Sequence, residues 1–325
     1  MQTEHVIHED ISTKSVIESP KEEEHVDEFK GNDTIDELKG EEKLTSEDNL
    51  PNSSKRFRKP KAFPDFVTFH MKAKQGLAMY KEAAIKALTL EIINTIDYDV
   101  WVPMKLKDIP RHMKILPSFA FLKEKYTAEG KFKELKARLV GGGHLQDRSI
   151  YKENETSSPT PDTTHLFILF LLGGKPGFHV VSGDVKAAYL NAPIMKEVFI
   201  RLDPIVSSIL VNVDEPYLPY LGIDQTIVVK LKKALYGCIE SARLWHEHLS
   251  KSLLSIPDIK QSRLDPCIFY SNDKNIQTFI CTYVDDILII SNNDKFTSTI
   301  QETLSKTYEM KYSTGSRLLG DEFDI

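Results

Sequence analysis

Residues 276–290 place two adjacent acids in an otherwise apolar, β-branched run, Ile-Gln-Thr-Phe-Ile-Cys-Thr-Tyr-Val-Asp-Asp-Ile-Leu-Ile-Ile. Strand-like sequence on both sides predicts that Asp285 and Asp286 lie at the tip of a hairpin. Unpaired carboxylates in such a place protonate or destabilise the fold unless they face a cation. The stretch therefore favours a divalent-metal site. The alternative is a solvated turn that happens to carry two acids, since Asp is also a common turn residue.

The charge of the chain is distributed unevenly. Residues 1–50 hold 16 acids and 5 bases, a balance of −11 against −6 for the whole chain, so the other 275 residues carry +5. No hydrophobic period runs through residues 1–65, which we expect to form a disordered acidic leader and linker. Its basic patch at positions 55–61 suggests a solvated linker, with phosphate binding or a nuclear signal as the alternative.

Two further observations bound the class of protein. The three cysteines fit no zinc spacing, which indicates reduced, intracellular thiols. No apolar run approaches the ~20 residues that a membrane-spanning helix needs. We therefore expect a soluble protein with no membrane partner.

Hydrophobic periodicity predicts four helices. The first spans Tyr80–Asp97, the second is a buried helix over Leu166–Leu172 capped by Thr163 or Thr164, the third starts at Ser241 and the fourth at Asn293 or Asp294. The expected inward residues are Ile85, Leu88, Ile92 and Ile96 in the first helix, Trp245, Leu249 and Leu253 in the third, and Phe296, Ile300 and Leu304 in the fourth.

Alternating strand-like segments between these helices indicate an α+β domain with helices on one face of a sheet. Residues 203–225, with three prolines and no clear period, suggest an insertion loop.

A two-metal phosphoryl-transfer site needs carboxylates from different strands around ions ~3.5–4 Å apart. Asp184, which follows the apolar Val180-Val181, is the best partner for Asp285 and Asp286, with a strand-terminal turn as the alternative. Lys136 and Arg138 stand at i and i+2, hence on one face of a strand. Such a pair suits a triphosphate, although a solvated basic face has the same pattern.

A tyrosine five positions after Asp184, Tyr189, is placed to stack under a sugar if the chain turns there. A lone tyrosine is more often part of a core.

Five blocks in order carry a family resemblance. They are Lys136-Ala137-Arg138-Leu139-Val140; Ser157-Ser158-Pro159-Thr160; Asp184-Val185 with Ala188-Tyr189-Leu190-Asn191-Ala192; Lys233-Ala234-Leu235-Tyr236-Gly237 with Arg243-Leu244-Trp245; and Tyr283-Val284-Asp285-Asp286. Over residues 70–325 the chain resembles the reverse transcriptase of copia-type (Pseudoviridae) long-terminal-repeat retrotransposons.

The resemblance implies a right-hand polymerase with fingers at about 75–178 and a ferredoxin-like palm at about 179–325, together filling residues 66–325. It implies that Asp184, Asp285 and Asp286 are catalytic and hold two Mg²⁺ ions, or Mn²⁺. It also implies that Lys136 and Arg138 contact the triphosphate, that Tyr189 excludes a ribose 2′-hydroxyl, and that Tyr236 and Gly237 line the nucleotide side.

The expected function is RNA-directed DNA synthesis from dNTPs on a primed RNA template, beside other parts of a polyprotein. The expected place is the cytoplasm, in virus-like particles, with the nucleus as the alternative. The family's thumb and RNase H regions are expected to be missing, since the sequence stops at Ile325. A co-opted, inactive nucleic-acid-binding remnant and a Mg²⁺-dependent nuclease or phosphotransferase remain as alternatives.

Overall fold

A computed structural model describes residues 70–127, 130–314, 317–318 and 321–322. The expected acidic leader and the basic patch at 55–61 lie outside the described residues. The described part contains helices α1 Ala73–Asp97, α2 Thr163–Gly173, α3 Pro204–Val213, α4 Ser241–Leu254 and α5 Asp294–Thr307.

The strands in chain order are β1 His70–Lys72, β2 Trp101–Met104, β3 Ile115–Tyr126, β4 Phe132–Gly141, β5 His179–Val185, β6 Phe199–Leu202, β7 Ile227–Leu231, β8 Ile259–Gln261, β9 Ile268–Ser271, β10 Thr278–Tyr283, β11 Asp286–Ser291, β12 Met310–Thr314, β13 Arg317–Leu318 and β14 Asp321–Glu322. Strands and helices are therefore mixed along the chain, which confirms the expectation of a fold that combines sheets with helices.

The first sheet has the order β1-β3-β6-β7-β2, with β4 added to β3. Helix α1 packs on it through Leu88 and Ile92, which are almost fully buried. Strands β6 and β7 belong to this sheet although they follow residue 179 in sequence, because β6 pairs with β3 and β7 pairs with β2. The expected boundary near residue 178 therefore does not separate the two sheets.

The second sheet has the order β12-β5-β11-β10-β9-β8. Strand β11 is apolar on both faces, since Ile287 and Ile289 contact the core under α4 and α5 while Leu288 and Ile290 pack with α2. The expectation of helices on one face is therefore wrong. Successive residues of a strand point to opposite faces, so four consecutive buried residues require cover on both sides.

Helix α2 is less buried than its composition suggests. Only Leu169 is buried, whereas the side chains of Phe167 and Leu171 are 64% and 76% exposed. Its N-cap is Asp162, whose carboxylate accepts a hydrogen bond from the Thr164 amide. The prediction of Thr163 or Thr164 as the cap is therefore wrong. A uniformly apolar helix has no polar face by which the sequence could identify the covered side.

The other helices agree with the expectations more closely. The range of α1 begins at Ala73, but its backbone breaks at Lys81, where φ is +43° and ψ −112°. The helical segment after this break therefore starts close to the predicted Tyr80, and Ile85 in it is 49% exposed. α4 buries Trp245, Leu249 and Leu253 as predicted. In α5 the Asn293 carboxamide accepts the Phe296 amide at the N-cap, also as predicted.

The expected insertion loop at 203–225 is wrong, because α3 occupies its first half. Asp203 caps this helix by accepting the amides of Ile205 and Val206, and Pro204 follows at the first helical position. Asp followed by Pro is a helix-start signal that the proline count obscured.

The three cysteines, Cys238, Cys267 and Cys281, are buried and form no disulfide, as expected. Within the described ranges, no helix combines the length and apolarity required to cross a bilayer.

Candidate active site

The three predicted acids meet at one end of the second sheet. Asp286 begins β11 and is the direct antiparallel partner of Asp184 near the end of β5. Asp285 precedes it in the turn after β10, and its carbonyl accepts the Val185 amide at 2.9 Å. Two stretches of chain about a hundred residues apart therefore place three carboxylates side by side, at the hairpin tip that the sequence predicted.

The carboxylates repel one another electrostatically. Burial, and then the neighbouring Asp184, raise the pKa of Asp285 to about 6. Burial and Asp184 raise the pKa of Asp286 as well. Repulsion of this kind is relieved by a bound cation or by protonation.

One direct observation shows that the three acids suit a bound cation. The Oδ1 atom of Asp285 is buried and has no hydrogen-bond partner. An unpaired buried carboxylate oxygen is costly, and a hard divalent ion takes oxygen ligands of this kind. Over the described residues, no three His, Cys, Asp or Glu side chains converge closely enough to hold an ion as they stand. The carboxylates are therefore adjacent but not drawn together into a closed ligand set.

A cavity of about 430 Å³ connects the acids to β4 of the first sheet. Lys136, Arg138, Asp184, Tyr236 and Asp285 all line it. The two cations share the exposed face of β4, because the alternate residues of that strand are buried. Both cations also lower the pKa of Asp285 against the dominant effect of burial, so their positive charge acts on this carboxylate.

The ring of Tyr236, which lines this cavity, is in contact with the ring of Tyr189. The centroids of Tyr189 and Tyr236 are 4.7 Å apart with an interplanar angle of 33°. The guanidinium carbon of Arg138 lies 5.6 Å from the centroid of the Tyr236 ring. The chain does turn after Asp184, at Ala187, whose φ is +50°. Tyr189 follows this turn, packs against the core under α4 and α5, and lines a second cavity of about 230 Å³ rather than this one.

Close backbone contact fixes the position of Tyr236 and Gly237. The Gly141 amide donates to the Tyr236 carbonyl at 2.7 Å. A Cβ on Gly143 would lie 2.0 Å from the Gly237 carbonyl oxygen, and Gly237 itself has φ +84°. Gly143 is thus required for this approach of two backbones.

Glu91 and Lys311 are among the charged residues at the cavity that the sequence did not identify. Glu91 of α1 accepts the Leu139 amide at 3.0 Å, and burial raises its pKa. Its spacing of three from Leu88, on the buried side of the helix, is the signal that could have identified it. Lys311 of β12 is the register partner of Asp184 on the other side of β5 from β11, and it lines the cavity. No pattern in the sequence singled it out.

A family model matches most of the chain. The model described as "Reverse transcriptase (RNA-dependent DNA polymerase)" matches residues 98–324. This range is more than half of the chain and includes every predicted site residue.

Curated relatives from Saccharomyces cerevisiae point the same way. The Transposon Ty1-NL2 Gag-Pol polyprotein is 27% identical over 265 residues, covering 80% of this chain and 13% of the relative. The Truncated transposon Ty1-A Gag-Pol polyprotein is 27% identical and covers 80% and 19%. The Transposon Ty1-DR5 Gag-Pol polyprotein is 26% identical and covers 80% and 13%. The chain spans less than a fifth of the length of these relatives.

Proposed function

The chain belongs to the reverse transcriptase (RNA-dependent DNA polymerase) family, in the form carried by Ty1/copia-type retrotransposon polyproteins, and we propose that it adds dNTPs to a primer 3′-hydroxyl on an RNA template. The observation that carries this proposal is the pairing of Asp184 with Asp286, with Asp285 adjacent and the Lys136–Arg138 face across one cavity. Carboxylates for cations and fixed cations for phosphates are the two elements that phosphoryl transfer requires of a protein.

In this proposal Asp184, Asp285 and Asp286 hold two Mg²⁺ ions, or Mn²⁺. When bound, such ions activate the attacking hydroxyl and neutralise charge on the leaving pyrophosphate. The unpartnered Oδ1 of Asp285 and the raised pKa values of Asp285 and Asp286 support a ligand role, because a cation would relieve both.

The protein's own side chains then bind and orient the nucleotide. Lys136 and Arg138 neutralise the triphosphate from β4. Tyr189 occupies the space of a ribose 2′-hydroxyl, and Tyr236 with Gly237 lines the nucleotide side. The contact of Arg138 with the Tyr236 ring, and of that ring with the tilted Tyr189 ring, supports this division of roles because each group restrains the next.

The two sheets correspond in this proposal to the parts of a right-hand polymerase. The second sheet is the ferredoxin-like palm, and the first sheet forms the fingers. The fingers then comprise about residues 75–178 together with β6 and β7, because these two strands complete the first sheet.

Primer extension tests the proposal directly. Purified protein, a primed RNA template, dNTPs and Mg²⁺ or Mn²⁺ should yield extended DNA and pyrophosphate, and Asp285→Asn should abolish both. A wild type that extends no primer but still binds primed RNA would favour a co-opted remnant. Nucleotide release without pyrophosphate would favour a nuclease or phosphotransferase.

The partners follow from the same proposal: an RNA template, a DNA or RNA primer, and other segments of a Gag-Pol-like polyprotein. The cytoplasm, in virus-like particles, is the proposed place, with the nucleus as the alternative. Fractionation of tagged full-length chain with and without the polyprotein tests it.

A further inference from the structure

The turn that carries Asp285 is strained. Tyr283 pairs with Asp286, so Val284 and Asp285 alone connect β10 to β11. Val284 has φ +53°, whereas Asp285 is outside the positive-φ region. Positive φ at the first loop residue alone is the feature of a type II′ turn, which favours glycine there. For a β-branched residue this conformation costs about 1–3 kcal/mol.

Each carbonyl of the turn accepts one hydrogen bond from another element. The indole Nε1–H of Trp245 in α4 donates to the Val284 carbonyl at 2.7 Å. The Val185 amide, next to Asp184, donates to the Asp285 carbonyl at 2.9 Å. The strained residue itself is thus held by a single side chain from a helix.

Trp245 is a rigid anchor for this bond. Its side chain is 1% exposed, and its ring meets Tyr308 edge-on with centroids 5.4 Å apart. Packing does not fill the space beneath the turn, because a cavity of about 230 Å³ lined by Trp245, Leu249, Thr282 and Val284 lies there. The indole hydrogen bond therefore restrains the turn where apolar contact is incomplete.

We propose that Trp245 is a positioning residue: its indole N–H holds the Val284–Asp285 turn in its strained form and thereby sets the place of the Asp285 carboxylate. The inference rests on the proposed function for its kinetic consequence only. The bond and the strain it opposes are properties of the metal-free protein, so they can be tested without any reaction.

The first experiment removes the N–H and keeps a ring. Trp245→Phe retains an aromatic side chain in the core but has no donor. The matched control is Trp101→Phe, the same change at the chain's other tryptophan, which is 3% exposed and lies in β2 of the first sheet. Hydrogen–deuterium exchange of the metal-free protein should accelerate about tenfold or more in peptides covering 282–287 for Trp245→Phe, with β9 peptides unchanged. Trp101→Phe should leave the turn unchanged.

Steady-state primer extension supplies the second readout. Trp245→Phe should lower kcat about 10- to 100-fold with the KM for dNTP within about threefold, since misplacement of a catalytic group by an ångström costs rate on this scale. Val284→Gly in the Trp245→Phe background should restore part of the kcat, because glycine adopts positive φ without strain. Trp101→Phe should keep kcat within about twofold.

The outcomes separate cleanly. Unchanged exchange at 282–287 together with unchanged kcat would overturn the positioning role. If the wild type extends no primer, the proposed function fails. The exchange data then still show whether the Trp245 indole N–H restrains the Val284–Asp285 turn. If Trp245→Phe does not fold, replacement of Trp245 by 3-benzothienylalanine, which keeps the shape of indole without the N–H, provides the same comparison.

Discussion

The rings of Tyr189 and Tyr236 lie in contact, with centroids 4.7 Å apart, although 46 positions of sequence separate them. Arg138 stands over the Tyr236 ring. A residue proposed to discriminate the sugar is therefore supported by a second aromatic ring, which is itself held by a cation proposed to bind the triphosphate. Sugar choice and triphosphate binding should be coupled through Tyr236.

Replacement of Tyr189 should relax sugar discrimination. Tyr189→Val removes the ring that we place against the 2′ position, so the ratio of kcat/KM for dNTP to that for rNTP should fall by about 10-fold or more. Single-nucleotide incorporation with paired dNTP and rNTP substrates measures this ratio. Tyr236→Phe, which keeps the ring, is the control and should shift the ratio less than threefold. An unchanged ratio in Tyr189→Val would show that Tyr189 does not exclude the ribose 2′-hydroxyl.

Loss of either cation on β4 should weaken nucleotide binding. Lys136→Ala and Arg138→Ala each delete a charge from the cavity side, so the KM for dNTP should rise about 10- to 100-fold with a smaller change in kcat. Lys260→Ala and Arg263→Ala, exposed changes at the β8 edge of the second sheet, are the matched controls. If only template affinity changes, the triphosphate role is wrong.

The raised pKa of Asp285 predicts a stability cost at neutral pH. An unfolded Asp titrates near pH 3.9, and the folded group near pH 6. Ionisation is therefore disfavoured in the folded state, so stability is lost as pH rises through this interval. Without metal, Asp285→Asn should raise the free energy of unfolding at pH 7.5 by about 1–3 kcal/mol and change it little at pH 4.

Urea unfolding in EDTA at the two pH values measures this effect, with the exposed Asp108→Asn as the control. Added Mg²⁺ should stabilise the wild type more than Asp285→Asn. A variant that is less stable than wild type at pH 7.5 without metal would contradict the cost that burial and the neighbouring Asp184 impose on the Asp285 carboxylate.

A methyl group at Gly143 should disturb the nucleotide side. The added Cβ would lie 2.0 Å from the Gly237 carbonyl oxygen, so the 236–238 backbone must shift. We expect Gly143→Ala to lose about 1–3 kcal/mol of stability and to raise the KM for dNTP. At Gly174 the nearest atoms to an added Cβ are 3.8 Å away, so Gly174→Ala should be nearly neutral in both thermal unfolding and kinetics. Equal behaviour of the two variants would refute the close-approach argument.

The sequence predicted the elements whose pattern is local. Amphipathic spacing identified the buried side of α4 and α5, and the cost of charge in an apolar run located the Asp285–Asp286 hairpin. The spacing of Lys136 and Arg138 at i and i+2 predicted that both side chains lie on one face of a strand. Each of these inferences needed only one stretch of chain and a simple period.

The remaining features depend on distant pairings that no local pattern encodes. α2 is apolar all round, so its exposed side at Phe167 and Leu171 follows only from which side β11 happens to cover. Lys311 lines the cavity of the acids because β12 pairs with β5 and places it in register with Asp184. The return of β6 and β7 to the first sheet likewise requires knowledge of non-local partners.

Strand β5 is flanked by β11 and β12, and both follow it in the chain by about a hundred residues or more. Ribosomes add about 5–20 residues per second, so a newly made β5 waits roughly 5–20 s for its first neighbour. During that interval both of its edges are open to pairing with other chains. The arrangement that brings Asp184 to Asp286 therefore leaves the nascent protein vulnerable to aggregation whenever synthesis pauses between them.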